Sequence, residues 1–222
     1  MRINSTSTLY GMRFYYSDAT SNERGYVANN LISLTGTSTY PYGIYNYSSD
    51  YVNFYNITVL IATSSSINSR CFYSASSNNL SFVNNAFINK SDGYTFYISS
   101  GIINQSDYNI LYTDGPSFAY WSGLRTSMAA LQSYTNKDAN SYSFIPNFVS
   151  NTDPHMRDGS LNGLATPLAD VIYDVDGELR DPVFPAIGAD EKPPIPIDAG
   201  IAEIIKPAST EPEGASIAVE LV

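Results

Sequence analysis

The stretch SFVNNAFI, residues 81–88, places two adjacent asparagines inside a run of large apolar side chains. Because asparagine is a poor strand former, the pair predicts a bend between two short strands. Three other stretches repeat this arrangement: YVANNLIS (26–33), VNFYNITV (52–59) and SDYNILYT (106–113). In the alignment one column of asparagines recurs at intervals of 26, 29 and 24 residues: Asn30, Asn56, Asn85 and Asn109. The chain therefore contains an internal repeat of about 25 residues.

Between these stretches lie secondary matches, each an aromatic and apolar segment that ends in serines: YGIYNYSS (42–49), RCFYSASS (70–77) and YTFYISS (94–100). A unit of this length, with two or three short strands and no helical period, is typical of one turn of a parallel β-solenoid. Leucine-rich repeats need a regular leucine framework, which is missing, and propeller blades are longer, at about 40 residues.

Asparagine suits the corners of such a turn because it tolerates the left-handed backbone region and its amide bonds to neighbouring backbone. Where turns stack ~4.8 Å apart, asparagines in register can also bond to one another. We therefore interpret Asn30, Asn56, Asn85 and Asn109 as a structural ladder. The alternative is a row of polar groups that binds a ligand.

Composition also favours an all-β fold. Only 14% of the 222 residues are charged and 19 are tyrosine, and residues of the tyrosine, threonine and asparagine types favour strands and turns over helices. The net charge of −10 arises entirely in residues 151–222, since residues 1–150 contain as many basic as acidic side chains. The sequence contains no basic stripe, which argues against a nucleic-acid partner. It also contains no run of 18 apolar residues, so we expect no membrane insertion.

Three motifs follow one another in the C-terminal half: DYNILYTDG (107–115), GLRTSMAALQSYTNKDANSYSFIPNF (123–148) and DVDGELRDPVFPAIGADE (174–191). Together with the repeats, they resemble the right-handed parallel β-helix proteins of the pectate-lyase-like superfamily, in particular the C-terminal ends of bacterial secreted or surface members. The resemblance covers about residues 9–191. It implies a right-handed parallel β-helix with a C-terminal cap, a bacterial source and a secreted or cell-surface location.

We predict four segments: β-helix turns (1–106), the last turn and a C-terminal cap (107–191), a proline-rich linker (192–197), and a final segment (198–222) that resembles the truncated start of an Ig-like module. In the cap, Leu124, Met128 and Leu131 have helical spacing, which predicts one short amphipathic helix. The linker KPPIPI is expected to be semi-rigid. The alternating pattern of ASIAVELV indicates a strand at the end, so we expect the chain to be a segment of a longer protein.

We identify no catalytic residues in the sequence. Polysaccharide lyases need a positioned base, and glycoside hydrolases need two or three carboxylates close together. The acids of residues 1–106 do not recur at the repeat spacing: Asp18, Glu23, Asp50 and Asp92. His155, the only histidine, has no serine motif or second histidine near it in sequence.

No cofactor is expected, apart from a weak calcium candidate. Asp174, Asp176 and Gly177 match the start of an EF-hand loop. The pattern lacks its third ligand before the glycine and the glutamate six residues after it. The resemblance instead implies a closing turn, in which Arg180 offsets the nearby acids.

Aromatic side chains give the remaining indication of function. Tyr42, Tyr45, Tyr47 and Trp121 are our candidate ligand-binding residues, because exposed rings beside hydroxyls and amides can bind sugars. The alternatives are that the flat faces of a solenoid simply accommodate tyrosine, and that Trp121 packs inside the cap.

The first functional hypothesis is a monomeric, non-catalytic β-helix segment that acts as a rigid scaffold or as an adhesive module for a polysaccharide or cell-surface glycan. The second is the C-terminal portion of a polysaccharide lyase or glycoside hydrolase whose catalytic turns lie upstream.

Overall fold

The structure is a computed structural model, and it describes residues 7–192. The predicted Ig-like module and the predicted linker, except Lys192, lie outside the described residues. The strands of the first two turns are β1 (Thr8–Tyr15), β2 (Gly25–Ala28), β3 (Leu31–Gly36), β4 (Tyr40–Tyr47), β5 (Val52–Tyr55) and β6 (Thr58–Thr63). Those of the next two are β7 (Arg70–Ala75), β8 (Ser77–Val83), β9 (Ala86–Asn89), β10 (Tyr94–Ile98), β11 (Gly101–Asp107) and β12 (Ile110–Thr113).

Each turn gives one strand to each of three parallel sheets. Sheet A has the order β1-β4-β7-β10 and continues into β13 (Ala119–Trp121), to which β14 (Leu124–Arg125) pairs antiparallel. Sheet B has the order β11-β8-β5-β2, and sheet C has the order β12-β9-β6-β3. The predicted all-β fold, a parallel β-helix, is confirmed, with about four turns in the described residues.

The interior of the coil is filled by aromatic and branched side chains. Alternate residues of each strand face inward, and five phenylalanines stack or meet edge to face there: Phe54, Phe72, Phe82, Phe87 and Phe96. The rings of Phe54 and Phe82 lie 5.4 Å apart and nearly parallel. Cys71 is fully buried, and burial raises the pKa of its thiol, so it packs as a small apolar side chain.

Two columns of asparagine, one residue apart, form the corner between sheets B and C. The outer column has left-handed backbone at Asn29, Asn56 and Asn84, with φ of 54°, 47° and 60°. The inner column contains the next residue of each turn: Asn30, Ile57, Asn85 and Asn109. The predicted ladder was therefore wrong at Asn56, because β5 and β8 pair Tyr55 with Val83 and so place Ile57 beside Asn85.

The inner column bonds within the coil. Asn85 donates to Oδ1 of Asn109 at 3.1 Å and to the carbonyl of Phe54 at 2.9 Å, while its own Oδ1 accepts the N–H of Ile57. Asn30 bonds instead to the Ala28 carbonyl of its own turn. In the inner column an amide-to-amide bond thus joins the third and fourth turns, and at the second turn the backbone N–H of Ile57 bonds in place of a side-chain amide. In the outer column the Asn84 amide donates to Oδ1 of Asn56 at 3.4 Å, which joins the second and third turns.

The outer column holds the C-terminal segment. The Asn84 amide donates to the carbonyl of Thr166 at 2.7 Å and accepts the N–H of the same residue at 3.1 Å. Asn56 donates to the carbonyl of Gly188 at 3.3 Å, and Asn29 donates to that of Tyr173 at 2.6 Å. Residues 166–188 therefore follow this corner of the coil.

The chain closes the last turn before it turns back. Helix α1 (Met128–Thr135) begins at its cap residue Ser127 and ends at Asn136, and it buries Leu131 in the core. The predicted helix wrongly included Leu124. That residue lies on β14 and is exposed, because the first helical residue is Met128. The segment that follows pairs with the edge of the fourth turn: the N–H of Tyr142 donates to the carbonyl of Asn109.

The remainder of the cap region covers the outer face of sheet C instead of the end of the coil. It begins with the antiparallel hairpin β15 (Phe148–Ser150) and β16 (Asp153–Met156). Outward side chains of sheet C, among them Leu60 and Ile88, form a second apolar cluster with Met156, Leu161 and Ile187. No helix in residues 7–192 has the length and apolar character needed to span a membrane.

Candidate functional site

The outer surface of sheet A is covered by tyrosine. Ile44, Phe72 and Phe96 are buried in the core, whereas the residues two positions before them and one position after them are half-exposed and lie on the outer surface. We define the tyrosine face as two columns on this surface: Tyr10, Tyr42, Arg70 and Tyr94 in one, and Arg13, Tyr45, Tyr73, Tyr97 and Tyr120 in the other. The second column spans about 19 Å, at ~4.8 Å per strand.

The rings of the longer column stack on one another. Tyr45 and Tyr73 have centroids 4.8 Å apart at 12°, Tyr73 and Tyr97 are 5.7 Å apart at 19°, and Tyr97 and Tyr120 are 4.6 Å apart at 12°. The two columns touch edge to face, as between Tyr94 and Tyr97 at 5.1 Å. Such contacts stabilise each pair by about 0.5–1.5 kcal/mol beyond area burial, which makes the surface a fixed, flat layer.

Two arginines lie among these rings. The Arg70 guanidinium lies 4.4 Å from the Tyr97 ring centroid and donates to the Tyr42 hydroxyl at 3.0 Å. Its Nε is buried and has no hydrogen-bond partner among residues 7–192. Arg13 lies 4.9 Å from the ring centroid of Tyr15.

The tyrosine face is free of acidic side chains. Strands β1, β4, β7, β10 and β13 contain no aspartate or glutamate, although the chain has a net charge of −10. Burial raises the pKa values of Tyr42 and Tyr45, so their hydroxyls stay protonated at neutral pH and can donate hydrogen bonds. The face is thus neutral to positive and rich in donors.

Stacking limits how this surface can bind. Between Tyr45 and Tyr120 in the longer column, the ring faces that meet a neighbouring ring are covered, so the surface there displays ring edges and hydroxyls. A sugar that lies flat on a ring needs an uncovered face. The groups that this surface presents to solvent are therefore mainly hydroxyls and guanidinium groups, which donate hydrogen bonds.

Of the predicted ligand-binding residues, Tyr42 and Tyr45 lie on the tyrosine face, and Tyr47 lies beside it, stacked on Tyr15 at 5.1 Å. Of the two roles expected for Trp121, a ligand platform or packing, the structure supports packing. Only 8% of its surface is exposed, and its ring packs 6.0 Å from Phe96, because it alternates with the outward Tyr120. Sequence reasoning missed Tyr73, Tyr97 and Arg70.

The signal for the missed residues is in the sequence. In YGIYNYSS, RCFYSASS and YTFYISS the fourth letters are Tyr45, Tyr73 and Tyr97, which stack in the structure. Aligning these segments with one another predicts the column.

The acids of the first turns bond to backbone at the corner between sheets A and B. Asp18 accepts the N–H of Asp50 at 2.9 Å, and Asp50 accepts the N–H of Asn78 at 2.6 Å. The N–H of Glu23 donates to the Thr20 hydroxyl. The carboxylates of Asp18 and Asp50 thus hold neighbouring turns together. Within residues 7–192 no hydrogen bond joins Glu23 to Asp50.

A second group of ionisable residues lies in the C-terminal segment. Asp174 accepts the N–H groups of Asp176 and Glu178, both at 2.9 Å. His155 lies 2.5 Å from Asp153 and 3.6 Å from Asp176. Burial of the ring alone lowers the pKa of His155, but the hydrogen bond that the ring donates to Asp153 and the charges of Asp153 and Asp176 outweigh burial and raise it.

A groove of about 530 Å³ lies beside the first turn. Its walls include Leu9, Ile32 and Leu34 of β1 and β3, and Asp153 and His155 also line it. Among residues 7–192, β1 and β3 are the terminal strands of sheets A and C at this end. The groove is therefore lined in part by the apolar interior of the first turn that the structure describes.

Comparison of the chain with family models, with curated proteins and with solved structures finds no match in any of the three.

Proposed function

We propose that this chain is a non-catalytic, rigid β-helix module that binds an extended polysaccharide or cell-surface glycan along the tyrosine face. The observation that carries the proposal is the acid-free layer of stacked tyrosines with two arginines on sheet A. The resemblance of the repeats to secreted β-helix proteins supports a secreted or cell-surface location in a bacterium.

Polymer binding suits this geometry. From the second turn on, each turn of the coil adds another tyrosine to the longer column, so equivalent hydroxyls recur along the axis. A long, stiff glycan can contact several of them at once, and many weak hydrogen bonds of about 1 kcal/mol each then add to useful affinity. A small ligand would meet a flat surface without a cavity, where little of it could be enclosed.

The test is a glycan array probed with the whole chain and with a variant that lacks three outward hydroxyls, Tyr45→Phe, Tyr73→Phe and Tyr97→Phe. The variant keeps the stacked rings. We expect glycan binding by the parent and a loss of at least about tenfold in the variant, from three hydrogen bonds.

The matched control is Tyr26→Phe with Tyr55→Phe, which removes two hydroxyls from sheet B, where these rings meet edge to face at 5.5 Å. The control should bind like the parent. Absence of binding by the parent, or equal loss in both variants, would show that the tyrosine face is a structural surface and the chain a scaffold.

The catalytic alternative requires a separate test. Incubation of the chain with acidic polysaccharides should release no unsaturated products. We expect none because the carboxylates of Asp18 and Asp50 in the first turns bond to backbone N–H groups. Eliminative cleavage by this chain would overturn the non-catalytic proposal.

A further inference from the structure

Three aspartates meet where the C-terminal segment passes the hairpin. One carboxylate oxygen from each of Asp174, Asp176 and Asp190 lies within 4.8 Å of the other two. Asp174 and Asp190 are buried, whereas the side chain of Asp176 is 50% exposed. The cluster is thus closed on one side and open to solvent on the other.

The Asp190 carboxylate has an unused acceptor inside the protein. Only 1% of Asp190 is exposed, and its Oδ1 is buried with no hydrogen-bond partner in the described part of the chain. Its Oδ2 accepts the N–H of Met156 at 2.5 Å and lies 3.9 Å from Nζ of Lys192. A buried carboxylate oxygen without a donor is costly, and a cation at the cluster would satisfy it.

The backbone fixes the first ligand in advance. Asp174 accepts N–H groups from Asp176, Glu178 and Glu191, all at 2.9–3.0 Å. These bonds hold the side chain in one orientation: Oδ1 accepts two of them and Oδ2 accepts one. Since each carboxylate oxygen can accept two bonds, Oδ2 keeps a lone pair for a cation. The positive groups that face the cluster are His155, Lys192 and Arg180, and Arg180 is paired with Glu191 at 3.2 Å.

We propose that Asp174, Asp176 and Asp190 bind a calcium ion that fastens the C-terminal segment to hairpin β15–β16. All three ligands are carboxylates, the type that Ca²⁺ prefers at ~2.3–2.6 Å, so two oxygens on one such ion lie at most about 5 Å apart, and the three carboxylate oxygens meet this limit. The open side at Asp176 leaves room for the waters that complete six to eight ligands. The link to the hairpin runs through Asp190, which accepts the Met156 N–H.

The experiment is calorimetric titration of CaCl₂ into the whole chain after treatment with a chelator, together with thermal melting with and without calcium. We expect one ion per chain and a higher melting temperature with calcium. Asp176→Asn should weaken binding at least tenfold. This variant tests the site without disturbing the fold, because its side chain is half-exposed.

Asp190→Asn is the second variant, since an amide oxygen can still accept the Met156 N–H. The control is Asp170→Asn, an exposed aspartate outside the cluster, which should bind calcium like the parent. The proposal is overturned if the parent gives neither heat nor a thermal shift at millimolar calcium, or if neither Asp176→Asn nor Asp190→Asn reduces binding. Binding of Zn²⁺ in preference to Ca²⁺ would overturn it as well, since it would assign the site to His155.

Discussion

The side-chain amide of Asn85 donates to Oδ1 of Asn109 at 3.1 Å, which joins the third and fourth turns of the coil inside its wall. The same Oδ1 of Asn109 accepts the backbone N–H of Asn85 at 2.9 Å. Because both residues are fully buried, water cannot replace these bonds.

Asn85→Ala is therefore expected to lower the free energy of unfolding by about 2–4 kcal/mol, since it strands the N–H of Ile57 as well as the carbonyl of Phe54. Urea denaturation measures the loss. The control is Asn104→Ala, which removes a similar amide-to-amide bond between turns, to Asn79 at 3.3 Å, but an exposed one. Its effect should stay within about 0.5 kcal/mol, and equal losses in the two variants would contradict the importance of the inner column.

Gly188→Ala should detach the C-terminal segment from the coil. The glycine has φ of 94°, and a Cβ there would lie 2.6 Å from Oγ1 of Thr58, which accepts the N–H of Ala189. Gly177→Ala is the matched control, because its φ is 81° and a Cβ would meet nothing within 4 Å. Both variants incur backbone strain, but only Gly188→Ala adds a steric clash of about 1–3 kcal/mol.

Limited proteolysis of the C-terminal segment reports this difference. Cleavage should be faster in Gly188→Ala than in Gly177→Ala. Equal cleavage rates would mean that the close approach to Thr58 does not hold the segment.

Arg180→Leu should destabilise the protein by about 3–5 kcal/mol, because it leaves the buried carboxylate of Glu191 without its partner. The guanidinium also donates to Oδ1 of Asn29 at 3.0 Å and to the carbonyl of Ala189 at 2.9 Å. Arg157→Leu removes an exposed arginine that bonds to the Phe148 carbonyl, and chemical denaturation should show less than about 1 kcal/mol of loss. Similar losses would show that Arg180 contributes no more than a surface arginine.

Asp138 predicts a pH dependence of stability. It is fully buried, and burial raises the pKa of its carboxyl above 3.8 despite hydrogen bonds from Asn109, Ser141 and Ser106. A folded pKa above the unfolded one contributes stability at pH below the unfolded value, and this contribution is lost as pH rises through the folded pKa. The side chain of the Asp138→Asn variant cannot ionise, so its stability does not fall at this position as the pH rises.

The free energies of unfolding of the parent and of Asp138→Asn, measured from pH 3.5 to 7.5, check this prediction. Their difference should shift in favour of the variant as the pH rises. A difference that is independent of pH would show that Asp138 is ionised equally easily in both states.

The groups of the proposed calcium site illustrate what sequence could not supply. The order DVDG indicated Asp174 and Asp176, but the third carboxylate, Asp190, lies 14 residues beyond Asp176 and approaches only because the segment turns back. The same holds for Arg180, which reaches Asn29 across 151 residues of sequence.

The sequence by itself determined the parallel coil, because a period of about 25 residues with short apolar runs and asparagine at the bends can bury its apolar side chains only by stacking. Only the tertiary structure decided which asparagine of each bend faces inward, since that depends on the pairing of strands that lie 24–28 residues apart and on the left-handed residue at each corner. It also decided that the tyrosines of sheet A cover one another's rings and that the C-terminal segment lies against sheet C, since both depend on which surfaces the stacked turns bring together.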